Sequence, residues 1–78
     1  MKQFEVGKIY DTTYGFCTIR VDRRTRCYAF YTVNPKSEYA FKGKARIIPD
    51  WNREFFLLRH TERTAFKTFC YSDKEETA

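Results

Sequence analysis

No run of 18 apolar residues occurs in the chain, so no segment of it reads as a membrane-spanning helix. Cysteine never recurs at the two-residue spacing of a metal or redox motif; Cys17, Cys27 and Cys70 stand far apart, and this spacing offers no zinc framework. Histidine occurs once, as His60. No Ser-His-Asp arrangement, nucleophile elbow or convincingly spaced carboxylate pair accompanies it, which removes the commonest hydrolytic chemistries. The opening stretch MKQFEVGKIY is polar and alternating and lacks the apolar core of a secretory signal. Three cysteines cannot all pair within one chain. Together these absences set an expectation of a reduced, cytoplasmic setting, with no membrane partner and no cofactor.

Rings and cations are abundant. The 78 residues hold eight Phe, six Tyr and one Trp. A chain of this length suits one domain with a small core. Each ring buries about 150–250 Å², so the first use of these rings is packing. Net charge is +5, and it is unevenly placed. Residues 20–46 hold eight basic side chains against Asp22 and Glu38, whereas the stretch after Tyr71 holds Asp73, Glu75 and Glu76 against Lys74. A basic middle points to a polyanion or an acidic protein as partner.

Alternation of period two dominates and predicts strands. They are expected over 6–10, 15–21, 26–33, 39–48, 54–59 and 64–71. Turns are expected at 22–25 and at 34–38, where Asn-Pro marks the reversal. Gly43 suggests a bulge, and PDWNR (49–53) breaks the fourth strand. Asp50 also fits as the cap of a short helix over 51–62, the alternative to strand there. Residues 1–71 are expected to form one small β domain and residues 72–78 an acidic, flexible tail. At an offset of 39, Phe16/Phe55, Arg20/Arg59, Arg24/Arg63, Thr25/Thr64 and Phe30/Phe69 are identical, a faint echo between two halves. The fold class that follows is all-β: a small five- or six-stranded antiparallel barrel of the Src-homology type, or a strongly bent sheet.

The central hairpin carries the functional expectation. If Cys17, Ile19 and Val21 face inward, an antiparallel partner supplies Cys27, Ala29, Tyr31 and Val33 to the same side. Arg20, Arg26, Tyr28 and Phe30 then share the other face. Bases stack on aromatic rings and guanidinium groups neutralise phosphates, so this face suits nucleic acid. Arg23, Arg24, Lys42, Lys44 and Arg46 are the expected phosphate contacts. KGKAR (42–46) matches neither a Gly-rich phosphate loop nor an RNA-recognition signature. His60 with Glu62 and the flanking arginines is the weakest candidate, a general acid–base set for RNA cleavage whose plainer reading is a charged turn. The chain is therefore expected not to be an enzyme.

FEVGKIY, FCTIRVDRRTRCYAFYT and RIIPDWNREFF resemble segments of small uncharacterised proteins carried by phages and mobile elements of gut Firmicutes. Those begin Phe-Glu-Val-Gly-Lys-x-Tyr and continue through a strand, an Arg-Thr turn and a second strand. The resemblance covers roughly residues 4–57. It departs after Leu58, and at Trp51, where those proteins more often have a small turn residue. It implies a small barrel of mobile-element origin and transfers no catalytic residue. The leading expectation is a non-enzymatic binding module that contacts nucleic acid. The alternative is a phage-encoded inhibitor, for example an anti-CRISPR, that binds the acidic surface of a host nucleic-acid enzyme in the host cytoplasm. Edge strands in so small a sheet leave homodimerisation open.

Overall fold

The computed structural model describes residues 1–13, 17–59 and 67–75. Among the described residues there is no helix, and the alternating stretches form seven strands: β1 (Ile9–Thr12), β2 (Thr18–Arg24), β3 (Tyr28–Val33), β4 (Phe41–Arg46), β5 (Ile48–Asp50), β6 (Arg53–Arg59) and β7 (Lys67–Glu75). All ladders are antiparallel. The spatial order is β4-β3-β2-β1-β7-β6-β5. Its two outermost strands are consecutive in sequence and joined by Ile47 alone. A flat sheet would hold them roughly 29 Å apart at about 4.8 Å per strand, far beyond the reach of one residue. The sheet therefore curls until its ends meet, giving a nearly closed barrel in which β4 packs close to β6.

The count of seven exceeds the expected five or six because the stretch 39–48 divides at Ile47. That side chain is buried, and its amide donates to the Cys27 carbonyl at 2.7 Å, which bends the chain between β4 and β5. Where a short helix was the alternative, β6 is a strand. Glu54, Phe56 and Leu58 are buried in alternation with Arg53, Phe55 and Leu57, the period of a strand. β7 runs on to Glu75, and Ser72 is fully buried, so order extends into the stretch expected to be tail. The echo between halves is not kept in register: Arg20 opposes Thr32, whereas Arg59 opposes Lys67, four positions away from the equivalent pairing. Phe16, Arg63 and Thr64 lie outside the described residues.

The core is aromatic at its centre. Phe4 meets Tyr10 edge-on at 5.0 Å and Phe56 at 4.9 Å, and Tyr31 stacks on Phe56 at 5.2 Å. Ile19, Val21, Ala29, Val33 and Leu58 fill the space around them. Phe4 comes from the segment before β1, held by a parallel bridge between Lys2 and Arg53. Gly43 produces no bulge; the β3–β4 ladder is regular from Tyr28↔Arg46 to Val33↔Phe41. Its lack of a side chain serves packing instead. A Cβ there would lie 2.6 Å from the Tyr31 hydroxyl, so the Tyr31 ring lies over the bare backbone of β4.

Candidate functional site

A bulge in β2 decides which arginines reach the surface. Val21 opposes Tyr31 and Arg23 opposes Phe30, which leaves Asp22 as the extra residue. Beyond Val21 the parity of β2 inverts. Arg23 turns outward, its guanidinium carbon 4.4 Å from the centroid of the Phe30 ring. Arg24 turns inward, opposite buried Ala29. There it meets Glu54 in a fork, Nη1 to Oε2 at 2.6 Å and Nη2 to Oε1 at 2.8 Å, and Nη1 also donates to the Phe4 carbonyl. Glu54 is 4 % exposed and accepts the Phe4 amide as well. Burial alone would raise the Glu54 carboxyl, but the Arg24 and Phe4 hydrogen bonds and the Arg24 charge outweigh it and hold the group below its ordinary range. Hydrogen bonding to Glu54 raises Arg24 correspondingly. The expected phosphate contact at Arg24 is therefore corrected: its charge is committed to joining β2, β6 and the N-terminal segment.

The hairpin turn also lies later than expected. The Thr25 amide donates to the Tyr28 carbonyl at 2.8 Å, and the Thr25 hydroxyl accepts the amides of Cys27 and Tyr28. Arg26 and Cys27 thus occupy the tip of the turn and are exposed, not the strand positions assigned to them. Cys27, expected inside, is solvent-facing, whereas Cys17 and Cys70 are buried. Cys17 sits within 3.3 Å of the Thr12 hydroxyl. No group of three His, Cys, Asp or Glu side chains with a metal-binding arrangement occurs among the described residues. His60 and Glu62 lie outside the described residues.

The outer face of β2, β3 and β4 brings most of the remaining candidates together. The ladder sets three rows across it: Arg20, Thr32 and Lys42; Arg23, Phe30 and Lys44; Tyr28 and Arg46. The Lys44 ammonium lies 4.7 Å from the Tyr28 centroid and 5.7 Å from that of Phe30. Tyr28 is 41 % exposed, and Lys42, Lys44 and Arg46 are exposed. Arg20 is on this face but partly engaged, its Nε donating to Asp22 at 2.7 Å. Asp22 also accepts the Thr32 hydroxyl, which explains why Thr32 is buried on an otherwise exposed face. Burial pushes Asp22 upward, yet the Thr32 and Arg20 hydrogen bonds and the charges of Arg20 and Lys42 keep it below its usual value. Asp22 is the one carboxylate on these rows, against the five cations Arg20, Arg23, Lys42, Lys44 and Arg46.

Two features were not anticipated. At the seam where β4 nears β6 without a ladder, a cleft of about 320 Å³ opens, lined by Tyr28, Lys44, Ala45, Arg46, Ile48 and Leu57. Its apolar lining comes from β5 and β6 as well as β4, a closure invisible in local sequence. Second, Trp51 is 97 % exposed at the tip of the β5–β6 hairpin with φ of 58°. Comparison of the chain with protein-family models, with curated proteins and with solved structures finds no match.

Proposed function

We propose that this protein is a non-enzymatic binding module that contacts nucleic acid through the outer face of β2, β3 and β4. One observation carries the reading: cations and rings interleave there, with Arg23 over Phe30 and Lys44 beside both Tyr28 and Phe30. Such a surface offers charge to phosphates and π-faces to bases, and its near lack of carboxylates favours a polyanion. Arg23, Lys42, Lys44 and Arg46 take the phosphates, with Arg20 assisting, Arg26 reaching from the hairpin tip, and Tyr28 and Phe30 receiving bases. Fluorescence anisotropy with single- and double-stranded probes across a salt series tests it. Affinity that falls steeply with salt and tolerates changes of sequence supports the reading; no binding to any probe at low salt ends it.

A second reading rests on Trp51. An exposed tryptophan in a conformation that disfavours side chains is the kind of residue that anchors a protein interface. The resemblance to phage and mobile-element proteins fits an inhibitor that seats this tip and the basic face on an acidic host enzyme. Its test is capture of one defined host protein by the full chain, lost on Trp51→Ala, with free nucleic acid bound weakly or not at all.

A further inference from the structure

We infer that the seam cleft receives one unstacked base of a single strand, which makes the ligand single-stranded nucleic acid in preference to duplex. The inference rests on the nucleic-acid reading and deepens it. The cleft is at the small end of ligand sites, which run from about 300 to 1,000 Å³; at about 320 Å³ it fits a planar ring system with its sugar and little more. Its lining divides by chemistry. Ala45, Ile48 and Leu57 supply an apolar surface, Tyr28 a ring, and Lys44 and Arg46 the charge. No carboxylate lines it. A free apolar ligand would leave two cations facing it without a counter-charge. A base tethered to its own phosphates satisfies both kinds of wall at once.

The position favours a single strand over a duplex. β4 ends the strand order, so the cleft lies where the barrel fails to zip, recessed between β4 and β6. A base held in a duplex stack cannot enter such a recess without being extruded. A single strand crossing the rows of Arg23, Lys44 and Arg46 passes its bases over Phe30 and Tyr28 and drops one at the seam. Lys44 rests over the Tyr28 ring in the free protein, and its flexible stem lets the ammonium move to a phosphate as the base takes its place.

The test compares two labelled strands of equal length and charge, a thymidine oligomer and an abasic deoxyribose-phosphate chain, and a labelled duplex of the same length, each binding the full-length protein at low salt. The wild type is expected to prefer the thymidine oligomer about ten-fold, the ratio that about 1.4 kcal/mol gives. Ile48→Asp is expected to abolish that preference, with abasic binding weakened only modestly and a thermal melt showing the fold intact. If Ile48→Asp does not fold, Ile48→Asn, which adds no charge at this 37 % exposed position, takes its place, and a preference undiminished in the folded variant overturns the cleft inference, because Tyr28 and Phe30 on the open face would then account for it. Equal binding of both strands overturns the cleft inference and leaves the cationic face standing. Binding of neither strand overturns the nucleic-acid reading itself. Tighter binding of duplex than of the thymidine oligomer overturns the single-strand preference.

Discussion

Arg24 is a surface cation in the sequence and an interior one in the fold, and the difference is measurable. Breaking a buried, forked ion pair strands the other charge and costs about 3 kcal/mol or more. Arg24→Ala is therefore expected to lower chemical-denaturation stability by about that amount, while Arg23→Ala barely changes it. The pair also gives stability a pH dependence of known sign. Glu54 has a folded pKa below its ordinary 4.5. Its contribution is complete above that value and drains away as pH falls through the lower folded one. Thermal melts from neutral to acid pH should show this loss, and Glu54→Gln should flatten that window while lowering stability at neutral pH. Gly43 has a different reason for being there. Gly43→Ala drives a methyl into the Tyr31 ring, which is walled in by Phe56, and is expected to cost about 1–3 kcal/mol. Trp51 runs the other way. Its left-handed backbone costs roughly 1 kcal/mol, so Trp51→Gly should raise stability by about that much. If Trp51 anchors a protein partner, the same variant loses the partner as it gains stability.

Among the elements, β2 shows where sequence reasoning reaches and where it stops. Alternation placed Ile19, Val21, Ala29, Tyr31 and Val33 on one side, and all five are buried. It placed Tyr28 and Phe30 on the other side, where they are. A single bulge residue, Asp22, lay beyond its reach, because a bulge changes no composition and leaves no local pattern. The cost of missing it was Arg24, expected at the surface beside Arg23 and found turned inward to Glu54. The helix alternative over 51–62 failed for a related reason: EFFLL is too short for its period to show until β5 and β7 flank it. The outer cationic rows were legible because Lys42, Lys44 and Arg46 sit at every second position. The cleft was not, since Leu57 and Ile48 meet Tyr28 only after the barrel has curled. Deleting Asp22 should restore plain alternation to β2, send Arg23 inward and detach Arg24 from Glu54. A large drop in the denaturation midpoint is the expected result.

At the scale of the molecule, the cations act together on a ligand many phosphates long. If Arg23, Lys42, Lys44 and Arg46 each neutralise one phosphate of a single strand, the log–log plot of affinity against salt should slope roughly −3. Replacing Lys42 by Ala should shallow that slope by about 0.7 and weaken all sequences alike. Such a response separates the cationic face from the ring contacts, whose loss leaves the slope unchanged. The linkage through Ile47 has its own consequence for this molecule as a whole. A lone residue acts as a tether between two sheet rims, so each rim meets the other at a far higher effective concentration than it meets a neighbouring molecule. Splicing a flexible Gly-Ser spacer in after Arg46 would dilute that encounter. The loosened rims would then find their counterparts on a second copy, and light scattering would register a strand-exchanged dimer in place of a ring sealed by its own chain.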